Sequence, residues 1–185
     1  MTPLRDTVSL LQQYTDTAGK VQTMYICSGF GGTDVINVRG TLPTDRASAS
    51  VLVRVKDLVE LTQSAHDTLI GRTNQHPSNH FGTKKTIDNL KMLADTAYAD
   101  SSWTLQYNDI SLISGGPFDC DVNHMWDTPH EYHREGRNVD MRPVSVSGDS
   151  VNVEWLQTFI SKTLKGTLKE ENRGIPHKHH FHLTF

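Results

Sequence analysis

The sequence predicts an α+β fold in which a mainly antiparallel sheet is flanked by helices. Three observations predict it: strand-like segments dominate the first part of the chain, segments with helical spacing follow, and short strands surround a further helical segment near the end. We expect a β-rich N-terminal segment of unknown role over residues 1–56 and a second domain over residues 57–185. A chain of 185 residues is long enough to bury a sizeable apolar core.

The N-terminal segment is predicted to contain one short helix followed by strands. Apolar residues share one helical face in Thr7–Tyr14. Lys20–Cys27 and Asp34–Arg39 read as strands, and the glycine-rich residues 28–32 between them predict a hairpin turn. The alternating segment Val51–Val55 predicts another strand.

The middle of the chain is predicted to form helices around a loop. Leu58–Leu69 is apolar at helical spacing, whereas residues 71–82 are polar and contain Pro77. Thr83 can cap a helix from Lys84 to about Tyr98. The residues of that helix expected to face the core are Ile87, Leu90, Leu93, Ala94 and Ala97.

Strands and one helix are predicted for the last third of the chain. Leu105–Ile113 and Val139–Met141 read as strands, and Pro117–His133 reads as a long loop. Asn152 can cap a further helix, and the alternating run His180–Phe185 predicts a final strand. The residues that the further helix is expected to bury are Trp155, Leu156, Phe159, Ile160 and Leu164.

Charge and hydropathy exclude several classes of partner. The formal net charge of −3 predicts no basic surface for nucleic acid or for an anionic membrane. No sustained apolar run is present, so we expect a soluble chain with neither a signal peptide nor membrane insertion. If the protein acts outside the cytoplasm, we expect that another agent delivers it. The oligomeric state and a pairing of Cys27 with Cys120 stay open.

Clustered histidines predict a metal site. Six of the ten histidines fall in two short clusters, His130 and His133, and then four residues within 177–182. A catalytic zinc ion takes three protein ligands from His, Asp or Glu and keeps one position open. The spacing favours His133, Asp140 and His182 as these ligands.

Strand geometry separates the histidines of the second cluster. Residues two apart on a strand point to the same side, so His180 and His182 share one face. His179 and Phe181 are expected on the other face, away from the metal. Gly136 permits the tight turn that brings the first histidine back to Asp140.

These motifs resemble the hedgehog/D-Ala-D-Ala-peptidase fold, a group of zinc peptidases that includes the hedgehog signalling domain. His133-Arg-Glu-Gly-Arg-Asn-Val-Asp140 is similar to the hedgehog version. The spacings His130-x2-His133 and His177-x2-His180-x-His182 are similar to those of penicillin-insensitive murein endopeptidases.

The resemblance implies a Zn²⁺-dependent peptidase that cuts a peptide bond in peptidoglycan stem or cross-link peptides. Such an enzyme would be delivered to the cell wall as a lysin or as a secreted effector. His180 would stabilise the developing oxyanion, and His177 would be the general base. Two features depart from the pattern: His177 stands where many relatives have Glu, and no Ser-x-Tyr-Arg motif precedes the first ligand.

Further residues near the first motif are candidates for the pocket. His130, Glu131, Glu135 and Arg137 are candidates for lining it or supporting the ligands, and the two glutamates are reserve candidates for the base. A non-catalytic hedgehog-like module that binds a partner or a wall fragment is the alternative function. A non-haem iron site also uses two histidines and a carboxylate, although its His and carboxylate are commonly two residues apart.

Overall fold

The chain divides into two compact units, Met1–Arg54 and Val55–Phe185. The computed structural model describes residues 7–8, 14–27, 29–72, 74, 77–116, 133–171 and 179–185. Among these residues, no helix combines the length and the apolar character needed to cross a membrane. Cys27 is exposed, and Cys120 lies outside the described residues, so the structure does not test their pairing.

The described residues of the first unit form two small antiparallel sheets. Strand β1 (Thr7–Val8) pairs with β2 (Tyr25–Ile26), and β3 (Gly32–Arg39) pairs with β4 (Arg46–Val53). The predicted helix is therefore wrong at Thr7 and Val8, which are β-branched and suit a strand. The predicted hairpin across residues 28–32 is also wrong, because β2 and β3 have different partners.

The hairpin turn of the first unit lies between β3 and β4 instead. The Gly40 amide donates to the Asp45 carbonyl oxygen at 2.7 Å, and the Asp45 amide donates to the Leu42 carbonyl oxygen at 3.0 Å. A proline stands inside this turn, where a fixed φ is favourable. β4 begins directly after it and is longer than the strand predicted over Val51–Val55.

The second unit begins with short strands where a helix was predicted. Leu58–Glu60 forms β5, Asp67–Leu69 forms β6, and Phe81–Thr83 forms β7. The predicted helix over residues 58–69 is wrong because a turn interrupts it, in which the backbone amide and hydroxyl of Ser64 both hydrogen-bond to Asp67 Oδ1. β5 then pairs antiparallel with β7.

A five-stranded sheet forms the centre of the second unit. Its later strands are β8 (Leu105–Tyr107), β9 (Asn138–Met141), β10 (Thr167–Glu171) and β11 (His180–Thr184). The strand order is β10-β11-β9-β8-β6, and every pairing is antiparallel except that of β6 with β8. The predicted mixed fold with mainly antiparallel sheets is confirmed.

The α-helices in the described part of the chain begin where the sequence predicts. Thr83 caps α1 (Lys84–Ser101) by accepting a hydrogen bond from the Thr86 amide at 3.2 Å. Asn152 caps α2 (Val153–Phe159) in the same way, and a π-helical turn over Ile160–Leu164 follows. All five core residues predicted for α1 are buried, but Trp155 and Phe159 of α2 are only half-buried and stack on each other.

The two faces of the β9–β11 pair have different roles. Phe181 and Leu183 of β11 join Val139 and Met141 of β9 in the core beneath the helices. The alternating residues point to the opposite face. This face carries Asp140, His180 and His182.

Candidate metal centre

Three residues predicted as metal ligands lie together. His133, Asp140 and His182 each offer one ligand atom, and these atoms all lie within 4.8 Å of one another. His182 Nδ1 lies 2.9 Å from Asp140 Oδ1, and His133 Nε2 lies 3.3 Å from the same oxygen. The structure therefore contains a buried group of two imidazoles and one carboxylate at metal-binding distances.

Backbone pairing and one glycine bring these ligands together. The β9–β11 register places His182 directly opposite Asp140. His133 begins a short 3-10 turn that ends beside Gly136, which has φ +68°. A Cβ on Gly136 would lie 2.8 Å from the Cα of Gly82, so glycine is required both for the conformation and for the close approach.

The ring of His133 is held between two acceptors. Its Nδ1 lies 3.0 Å from the carbonyl oxygen of Ile110, and its Nε2 faces the Asp140 carboxylate. A neutral imidazole has only one N–H and can donate to only one of them. The second nitrogen therefore needs either a proton or a metal cation, and a cation fits this position.

The ring of His182 has a comparable arrangement. Its Nδ1 faces Asp140, and its Nε2 lies 3.2 Å from Asn138 Oδ1, which also accepts a hydrogen bond from the Thr184 hydroxyl at 2.7 Å. The rings of His133 and His182 meet edge to face, with centroids 5.2 Å apart. Outer contacts of this kind fix the orientation of metal-ligating imidazoles in known metal sites.

The charge of Asp140 suits a cation. Burial favours the neutral carboxyl, but hydrogen bonds from His133 and His182 and the charges of nearby imidazoles outweigh burial and lower the pKa of Asp140. Burial likewise opposes the charged form of His133, yet the hydrogen bond and charge of Asp140 raise the pKa of this histidine. Asp140 is therefore ionised at neutral pH and available as a ligand.

His180 lies beside the ligand group, and it brings in a residue that the sequence analysis missed. His180 Nε2 lies 3.6 Å from Asp140 Oδ2 and 3.7 Å from Glu171 Oε2. Glu171 stands directly opposite His180 in the β10–β11 register. The hydrogen bond from Lys169 is the main cause that lowers the pKa of Glu171. The antiparallel register could have identified Glu171 had β10 been predicted.

His179 lies away from the ligand group, as strand alternation predicted. Its Nε2 lies 2.7 Å from Glu170 Oε1, and its ring meets Phe181 edge to face at 5.9 Å. Neither contact involves a residue of the ligand group. The separation of His179 from His180 and His182 is confirmed.

The remaining predicted site residues are less closely tied to the ligands. Glu135 and Arg137 form an exposed ion pair, with 3.7 Å between Oε2 and Nε. His130, Glu131 and His177 lie outside the described residues, so the predicted general base at His177 stays a prediction.

No protein-family model matches the chain, and no curated protein matches it. The functional conclusion therefore depends on the chemistry of the ligand group and on the sequence motifs.

Proposed function

We propose that the chain is a zinc-dependent peptidase of the hedgehog/D-Ala-D-Ala-peptidase fold that hydrolyses a peptide bond in peptidoglycan. The observation that carries the proposal is the buried carboxylate of Asp140, which faces one nitrogen of His133 and one of His182. The outer nitrogens of both rings face oxygen acceptors. Two histidines and one carboxylate are the ligand set of many hydrolytic zinc enzymes.

The ligand types favour zinc over harder cations. Calcium and magnesium prefer oxygen ligands, whereas two imidazoles and one carboxylate suit zinc or another transition metal. When bound in such a site, zinc lowers the pKa of a coordinated water to about 7 and polarises a carbonyl group. Three protein ligands leave a position for this chemistry.

The chain's own side chains supply the remaining functions. His180 Nε2 lies between two carboxylates, and both can only accept a hydrogen bond when ionised. His180 stands beside the ligand group, where its ring N–H can stabilise an oxyanion, which is the role that the resemblance implies. The resemblance assigns His177 as the base that takes a proton from water, and an imidazole titrates in the right range for this role.

The substrate class comes from the motif spacing that resembles murein endopeptidases. Zinc content by elemental analysis, and product masses from purified peptidoglycan digested with and without a chelator, test the proposal. We expect about one zinc per chain and chelator-sensitive peptide products, neither of which Asp140→Ala should give. Bound iron would indicate an oxygenase. Bound zinc without products from any wall type would support the non-catalytic binding module.

A further inference from the structure

One short segment supports two of the three ligands. Residues 108–110, called here the backing segment, follow β8 directly. The Asn108 amide donates to the Asp140 carbonyl oxygen at 2.7 Å, and the Asp140 amide donates to the Asp109 carbonyl oxygen at 2.9 Å. The carbonyl oxygen of Ile110 lies 3.0 Å from His133 Nδ1. A shift of this segment would therefore move Asp140 and His133 together.

Asn79 holds the backing segment from behind. Its backbone carbonyl oxygen accepts the amide of Ile110 at 2.9 Å. Its side-chain Nδ2 donates to Asp109 Oδ1 at 2.5 Å and to the Gly71 carbonyl oxygen at 3.1 Å. Asn79 has 0% exposure, so water does not compete for these hydrogen bonds.

From these contacts we infer that Asn79 is a positioning residue of the metal centre. Its side-chain amide ties Asp109 of the backing segment to Gly71, while its backbone fixes Ile110. The inference rests on the proposed metal binding and adds a residue outside the ligand group. An asparagine suits this place because one amide group supplies two N–H donors for two separate acceptors.

The support that Asn79 gives to the ligands should affect zinc affinity as well as the stability of the fold. Removing an outer partner of a metal ligand typically weakens metal binding by about 10- to 100-fold. Because Asn79 acts through the backing segment, we expect Asn79→Ala to weaken zinc binding by about 10-fold, the lower end of that range. The absorption spectrum of bound cobalt should also change, since it reports ligand geometry.

The experiment uses the full chain and a chromophoric chelator that competes for zinc. Ser145→Ala is the matched control, because Ser145 is also buried and its hydroxyl lies 2.6 Å from the hydroxyl of Ser147, with neither residue in the ligand group. Both variants should lose thermal stability in excess chelator. Only Asn79→Ala should lose zinc affinity and alter the cobalt spectrum. An Asn79→Ala chain with the zinc affinity and the cobalt spectrum of the wild type would overturn the inference.

A measurement without substitution covers the case in which Asn79→Ala does not fold. If the hydrogen bonds of Asn79 favour zinc binding, zinc binding must favour those hydrogen bonds equally. Hydrogen exchange of the Asn79 side-chain amide should therefore slow when zinc binds. The side-chain amide of Asn89, which lies 3.4 Å from the Leu164 carbonyl oxygen, is the reference. Equal slowing of both amides would overturn the inference while leaving the proposed function intact. A wild-type chain that binds no zinc overturns both.

Discussion

Two buried histidines of the second unit have opposite surroundings. His80 and His133 each have 1% exposure. His80 Nε2 donates to the Ile70 carbonyl oxygen at 2.9 Å, while its Nδ1 accepts from Arg72 Nε at 3.4 Å. One donor and one acceptor satisfy a neutral imidazole completely. Burial, and then the positive charge of Arg72, lower the pKa of His80 to about 4.

His133 differs because both of its ring nitrogens face oxygen acceptors. The Ile110 carbonyl oxygen occupies one side and the Asp140 carboxylate the other. Burial alone therefore does not mark a metal ligand. A second acceptor on the ring requires a proton or a metal cation at that nitrogen. Both ring nitrogens of His80 are used in hydrogen bonds that a neutral imidazole can make, whereas His133, beside Asp140 and His182, is a candidate ligand.

Among substitutions that test the difference between His133 and His80, Asp140→Ala should have the largest effect on zinc content. The substitution removes a ligand and the acceptor that faces both His133 and His182, so we expect no measurable zinc after dialysis, read by elemental analysis. His80→Gln is the control and should keep the wild-type zinc content. An Asp140→Ala chain that retains zinc at full occupancy would contradict the ligand assignment.

The pH dependence of stability should reveal the neutral state of His80. With a folded pKa of about 4 and an ordinary value of 6.5, the unfolded chain binds more protons between these values. The stability from this group is thus present above 6.5 and is lost as the pH falls through about 4. Denaturant unfolding in chelator should show wild type losing about 2 kcal/mol more than His80→Gln between pH 7.5 and pH 5. Equal losses would mean that His80 is not held neutral.

Much of the candidate metal centre could be predicted from local sequence. Strand alternation separated His180 and His182 from His179, and Gly136 marked the turn that folds His133 back. These features depend on backbone geometry within a few residues. The cap at Thr83 was predictable for the same reason.

Long-range pairing explains what the sequence did not reveal. Residues 58–69 have helical spacing, but the amide of Leu61 donates to the His80 carbonyl oxygen and β6 pairs with β8. Glu171, by contrast, comes to the site through the register of β10 with β11, which follow each other in the chain, and it was missed because β10 itself was not predicted. The support from Asn79 depends on hydrogen bonds to residues about thirty positions away in the chain.

Glu171→Gln should have an intermediate effect, on activity rather than on zinc. The substitution preserves the shape of the side chain but removes the charge beside His180, so the orientation of that ring is less well fixed. We expect kcat/KM on peptidoglycan peptides to fall by about 10-fold, as for other outer partners, with unchanged zinc content. Glu170→Gln is the control, because Glu170 pairs with His179 instead. A similar loss in both variants would argue against a role for Glu171.

His179→Ala should have the smallest effect, although this histidine stands next to His180 in sequence. Its partner Glu170 is half exposed, and exposed ion pairs contribute about 0–1 kcal/mol. Denaturant unfolding should therefore show a loss of about 1 kcal/mol or less, with zinc affinity as in wild type. His182→Ala, three positions later on the other face of β11, should lose zinc instead. Loss of zinc from His179→Ala would mean that strand alternation does not divide these histidines.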